Sequence, residues 1–209
     1  MLKKKWLILL CQIFTKVTGV VPALLVFKPR VRRQGKAPRR LPKNCILVSN
    51  HRSLMDFVLY LLVFPLRTIR FLTAEVLFGH NAFLSGLLYG LGCIRVDRDG
   101  KTFDFVSHSI EVLDKGGIVG VFPESRLPVG GKPFPFTVST AFIATHSDAL
   151  IVPVYTDGRY GITKRTGVVI GEPLRLTDYC QEGLTEEEQL AHLTAVLQKK
   201  VYELENELK

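Results

Sequence analysis

His51 and Asp56 are separated by four intervening residues in the stretch Ser49-Asn-His-Arg-Ser-Leu-Met-Asp-Phe57, directly after the apolar run Cys45–Val48. A carboxylate about one helical turn beyond an imidazole can accept a hydrogen bond from one ring nitrogen. That contact fixes the tautomer and leaves the other nitrogen as a base. With an ordinary pKa of about 6.5, such a base takes a proton from an attacking hydroxyl near neutral pH. The chain has no G-x-S-x-G elbow and no H-G-G-G oxyanion loop, so the pair suits a reaction in which a substrate supplies the attacking hydroxyl. By spacing alone, the same residues equally describe a helix start with a solvated histidine.

A second cluster follows the apolar run Gly117–Val121: Phe122-Pro-Glu124-Ser125-Arg126. The guanidinium of Arg126 offers a planar fork of donors for phosphate or carboxylate, and Glu124 can orient it or bind a substrate hydroxyl. An ordinary salt bridge in a turn uses the same two residue types. Gly116-Gly117-x-x-Gly120 precedes a strand and lacks G-K-S/T, so it reads as a helix end and turn rather than a phosphate loop. His80, His108, His146 and His192 lack metal-ligand spacing, and the four widely separated cysteines form no C-x-x-C pair. No metal and no resident cofactor is expected, and the cysteine usage suits a reducing compartment.

Both clusters need a scaffold that brings strand ends together. Runs at Cys45–Ser49, Thr68–Thr73, Cys93–Val96, Ile118–Phe122, Leu150–Tyr155 and Thr166–Ile170 predict strands, most of them apolar on both faces. Helical patterns fall between them at about 53–64, 78–91, 102–115 and 138–147. This alternation predicts an α/β fold with a mixed, largely parallel sheet flanked by helices, whose ligands bind beyond the carboxyl ends of the strands. Thr185 and Glu188 form a capping box ahead of a C-terminal amphipathic helix with Leu190, Leu193, Leu197, Val201, Leu204 and Leu208 on one face. That stripe is expected to dock on the domain.

The net charge of +9 is concentrated at the N-terminus: residues 1–43 hold 12 of the 28 Lys and Arg and none of the 19 Asp and Glu. The apolar run Trp6–Phe27 lies between two basic clusters and is long enough to cross a bilayer, for which about 20 residues suffice. Basic residues on both flanks, with Pro22 inside the run, predict instead two short helical pieces lying in the cytoplasmic leaflet, Trp6 serving as an interfacial anchor. Anionic lipid is then the expected partner, at the cytoplasmic face of the cell membrane in a peripheral or monotopic arrangement. A cleaved signal peptide is the other reading of this segment. Nucleic acid is not expected, because the charges flank lipid-like residues instead of alternating with stacking aromatics. Residues 1–43 are thus expected to form a membrane-associating arm and linker, and 44–209 the domain proper.

His51-x4-Asp56, Gly92-Cys-Ile-Arg-Val-Asp-Arg98, Phe122-Pro-Glu124-Ser-Arg126 and Ile151-Val-Pro153-Val154 occur in that order. The set resembles the glycerolipid acyltransferase family over residues 44–175. The resemblance implies transfer of a fatty acyl group from a thioester, on coenzyme A or acyl carrier protein, to the free hydroxyl of 1-acyl-sn-glycerol-3-phosphate, giving phosphatidic acid. His51 would be the general base and Asp56 its orienting partner. Arg98, Glu124, Ser125 and Arg126, with Arg95, would hold the acceptor. Val152, Pro153 and Val154 would shape the acyl-donor side. The third block is one residue shorter than the usual F-P-E-G-T-R, and Thr137 stands where a lysine is common, which thins the positive charge expected around an acceptor phosphate; Lys132 or Arg95 would have to compensate. Another lysolipid acceptor, a lipid hydrolase and a non-catalytic membrane-binding module are the alternatives. Oligomeric state stays open.

Overall fold

Seven short strands form one sheet in the computed structural model, which describes residues 2–97, 103–161 and 163–208. In chain order the elements are α1 (Leu2–Val26), β1 (Arg30–Arg33), β2 (Cys45–Ser49), α2 (Asp56–Val63), β3 (Arg70–Ala74), α3 (Glu75–Phe78), α4 (Ala82–Leu91) and β4 (Ile94–Val96). They continue as α5 (Asp104–Asp114), β5 (Ile118–Val121), α6 (Ser139–His146), β6 (Leu150–Thr156), β7 (Gly167–Ile170) and α7 (Glu186–Glu203), with a closing 3-10 turn over Leu204–Leu208. The sheet order is β1-β7-β6-β2-β5-β3-β4, and every neighbouring pair is parallel except β6 and β7. The fold is the expected mixed, largely parallel α/β sheet flanked by helices.

Alternate residues of the central strands supply two cores. Cys45 and Leu47 of β2 pack with Leu59, Tyr60, Leu61 and Phe64 on one face, whereas Ile46 and Val48 meet Ala141, Ile143, Leu193 and Leu197 on the other. Thr185 caps α7 through the Glu188 amide, and the Glu188 side chain returns to the Thr185 N–H. The leucine stripe of α7 docks on the second core through Leu193, Leu197 and Val201.

The N-terminal segment departs from expectation in two ways. Helix α1 runs unbroken through Pro22 instead of dividing there. A proline removes a single intrahelical hydrogen bond, and α1 is held by stronger attachments nearer its start. The Gln12 amide donates to the Ile69 and Leu91 carbonyls at 2.9 and 2.7 Å, and Lys16 Nζ reaches the Pro65 and Arg67 carbonyls. Desolvation in that contact brings the Lys16 ammonium down to about 8. Second, the basic stretch after α1 is not all linker: Arg30–Arg33 pairs residue for residue with Gly167–Ile170, and Phe27 and Leu41 are core residues. The fold therefore crosses the boundary expected at residue 43. Among the described residues no helix is long and apolar enough to cross a membrane.

Gly120 of β5 shows how closely the sheet is fitted behind its functional end. A Cβ there would come within 2.4 Å of the Phe71 ring. Gly120→Ala is expected to destabilise the protein by about 1–3 kcal/mol through overpacking, read as a lowered midpoint in urea unfolding. An unchanged midpoint would show that Phe71 is free to move.

Candidate active site

The pairing of β2 with β5 sets Val48 opposite Val121. His51 and Glu124 each follow three residues later, so the sheet itself brings the two sequence clusters to the same end. Asn50 secures the turn from the other side: its Nδ2 donates to the Thr156 carbonyl at 2.9 Å, and its Oδ1 accepts from the Thr156 N–H at 2.9 Å. The end of β2 is thereby tied to the end of β6.

Helix α2 starts at Asp56, later than the pattern suggested, because the carboxylate gathers the preceding turn around itself. Asp56 Oδ2 accepts from His51 Nδ1 at 2.9 Å, the Arg52 N–H at 2.7 Å and the Ser53 N–H at 2.9 Å. The Tyr160 hydroxyl donates to Oδ1. Asp56 is fully buried, so these four donors replace the water it has lost. With Nδ1 committed, His51 presents Nε2 as its remaining basic atom. The imidazole stacks on Phe122 at 4.4 Å, and Phe122 stacks on Phe71 at 5.7 Å.

Glu124 is buried and serves the backbone of the same histidine. Its Oε1 accepts from the His51 N–H at 3.1 Å and from the Tyr202 hydroxyl at 2.7 Å, whereas Oε2 is buried without a protein partner. Burial, and then the bond to Glu124, hold the Tyr202 phenol protonated well above its usual range. Arg52 lies beside this group, donating from Nη2 to the Tyr155 hydroxyl at 3.1 Å.

His51 also lines a pocket of about 210 Å³ between β3, β4, α3, α4 and α5. Its walls are mainly apolar, with Leu54, Phe57, Leu77, Leu84, Leu88 and Phe105 prominent. Polar groups are few on this lining and include Ser125, Thr137 and Ser139. The backbone of Ser125 is left-handed, at φ +57°. A residue with a Cβ occupies that region at a cost of about 1–2 kcal/mol.

Several expected positions are elsewhere. Val152, Pro153 and Val154 do not line this pocket; they are buried within β6, because an apolar run covered on both faces is consumed by the core. Arg95 forms an ion pair with Glu75 on the surface. Arg126 is exposed, its guanidinium 6.0 Å from the centroid of the Phe134 ring. Lys132 is exposed in the same loop, and Arg98 lies outside the described residues. Sequence reasoning missed Tyr160 and Tyr202, which no spacing connects to the motif. It also passed over Arg52, which sits inside the motif itself. Among the described residues no group of three His, Cys, Asp or Glu is placed to hold a metal ion.

A carboxylate-anchored imidazole lining an apolar pocket, at the carboxyl end of an α/β sheet, suits general-base chemistry on a substrate with an apolar part. A family model described as Acyltransferase matches residues 29–157, and the chain belongs to that family. The 1-acyl-sn-glycerol-3-phosphate acyltransferase of Bacillus subtilis (strain 168) is 28% identical over 145 residues, covering 67% of this chain and 70% of its own length. The 1-acyl-sn-glycerol-3-phosphate acyltransferase beta of Homo sapiens is 28% identical over 127 residues, 59% of this chain and 46% of its own. The fold resembles the crystal structure of the 1-acyl-sn-glycerophosphate (LPA) acyltransferase PlsC from Thermotoga maritima, with a TM-score of 0.64 and 23% identity over 97% of this chain and 81% of that one.

Tyr202→Phe removes one donor from buried Glu124 and keeps the ring. Hydrogen bonds to charged groups contribute about 1.5–3 kcal/mol, so urea unfolding is expected to show a loss in that range. A midpoint equal to that of the parent would mean that α7 does not hold Glu124.

Proposed function

We propose that this acyltransferase moves a fatty acyl group from a thioester to the free hydroxyl of 1-acyl-sn-glycerol-3-phosphate, giving phosphatidic acid, with His51 as general base. The observation that carries the reading is His51 Nδ1 bonded to fully buried Asp56 while the same ring lines the apolar pocket. The relatives named for this reaction support the choice of acceptor. His51 Nε2 takes the proton of the acceptor hydroxyl as its oxygen attacks the thioester carbonyl. Collapse of the tetrahedral adduct breaks the C–S bond, and the imidazolium returns the proton to the departing thiolate. The acyl chain occupies the pocket walled by Leu84 and Leu88. Coenzyme A and acyl carrier protein both supply such thioesters, and both are candidate donors.

A peripheral or monotopic position at the cytoplasmic face of the membrane fits the surface. Trp6, Leu10, Phe14 and Val17 of α1 are exposed, as are Phe83 and Tyr89 of α4 and Leu54 and Met55 just before α2. An exposed apolar set of this size is at home in a lipid interface. Exposed Arg30, Arg33, Arg39 and Arg40 suit anionic headgroups.

A second acceptor reading has its own observation. Arg126 is turned onto Phe134, and the pocket wall carries Thr137 where the related family commonly has lysine. Fewer cations near the acceptor suit a lysolipid with a larger head group. A panel of lysolipid acceptors with one acyl-CoA, assayed in mixed micelles, is expected to give the highest kcat/KM with 1-acyl-sn-glycerol-3-phosphate; preference for another lysolipid would install the second reading.

His51→Ala is expected to cut acyl transfer by about 10²- to 10⁴-fold, with unchanged circular dichroism and unchanged binding to anionic vesicles. Near-normal turnover in that variant would end the assignment of the base. Phe14→Asp together with Val17→Asp should reduce sedimentation with vesicles containing phosphatidylglycerol; retention at parental levels would remove α1 from the membrane contact.

A further inference from the structure

Asp56 is fully buried, so its two carboxylate oxygens need donors in place of water. Three donors come from its own turn and all reach Oδ2. The other oxygen is met by the hydroxyl of Tyr160, which enters from the loop between β6 and β7, 104 residues away in the chain. We propose that Tyr160 is a positioning residue of the acyl transfer: by donating to Asp56 Oδ1 it aims the carboxylate at His51 Nδ1 and sets how strongly the carboxylate holds the imidazole's proton.

The placement of Tyr160 is fixed from both ends. Its ring stands edge-on to Phe27, 5.2 Å between centroids at 87°, and its N–H donates to the Gly158 carbonyl. The hydroxyl remains a donor throughout the working range, because burial and then the adjacent Asp56 charge push its ionisation well above the ordinary phenol range. Other titratable groups surround the pair. Arg52 comes from the same turn, Tyr60 from α2, Glu124 from the turn after β5 and Tyr202 from α7. Only Tyr160 among these donates to Asp56 Oδ1 in the described contacts, so its removal isolates one effect.

The sign follows from charge density. A donor on Oδ1 draws negative charge away from Oδ2 and weakens its pull on an imidazolium. Without that donor, the carboxylate holds His51 in its protonated form more tightly, and the imidazole titrates at a higher pH. A base that must be neutral to act then reaches its working form later as pH rises.

The inference rests on the reading of His51 as the base, and the test separates the two. In Tyr160→Phe, which keeps the ring against Phe27, the acid limb of kcat/KM is expected to rise by about half to one pH unit. KM for both substrates should stay within about twofold, the loss falling on kcat. The titration of the His51 imidazole, followed by NMR in ¹³C,¹⁵N-histidine-labelled protein, should move by the same amount whether or not His51 is the base. A second variant carries 3-fluorotyrosine at position 160, a stronger donor of nearly equal volume, and its His51 titration should shift in the opposite direction. An imidazole titration equal to that of the parent in both variants overturns the role of Tyr160. A shifted titration alongside normal turnover in His51→Ala keeps the contact and overturns the base.

Discussion

Burying a single carboxylate is the constraint around which this protein is organised. An ionised group taken out of water without replacement contacts is strongly disfavoured, and the usual escape is to become neutral. Asp56 is given replacement contacts instead: two backbone amides, an imidazole and a phenol. The amides come from Arg52 and Ser53 because the chain must turn tightly between β2 and α2, and that turn in turn places His51 over Phe122. The geometry of the histidine is therefore a by-product of satisfying an anion. Glu124 repeats the device one strand over, accepting from the His51 amide and the Tyr202 hydroxyl.

These two carboxylates divide the end of the sheet. On the β6 and α7 side lie polar groups, with Asn50 bridging to Thr156 and Arg52 reaching Tyr155. On the β3 and β4 side the lining turns to leucine and phenylalanine. His51 sits on the dividing line, its stacked face supported through Phe122 and Phe71 by a strand in which a Cβ at position 120 would crowd the Phe71 ring. Such a boundary suits a reaction in which a polar hydroxyl must meet the reactive end of an apolar chain, as in the proposed transfer.

Much of this was legible from the chain because local physics dictated it. Continuous apolar runs such as Leu150–Tyr155 mark strands covered on both faces, and a polar cluster directly behind Cys45–Ser49 had to fall at a strand end. Thr185 and Glu188 announce the start of α7 by themselves. What could not be read depends on contacts distant in sequence. Strand β1 is mostly arginine, and an edge strand needs only a free ladder to join, which β7 offers. Tyr160 and Tyr202 reach the site through folding alone. Val152 and Val154 illustrate the converse: a motif position read as lining was already committed to the core. Arg126 is exposed beside Phe134, and the direction in which a turn aims its side chain is not encoded in a linear pattern.

Phe27 marks the place where α1 gives way to the domain, and it touches the edge of Tyr160, which touches Asp56. The same residue also passes its carbonyl to the Thr166 amide in the β6–β7 loop. The end of the N-terminal helix is thus tied, through Phe27, to the loop that carries Tyr160. Altering the junction at Phe27 would therefore take away the ring against which Tyr160 stands, two contacts from the buried carboxylate.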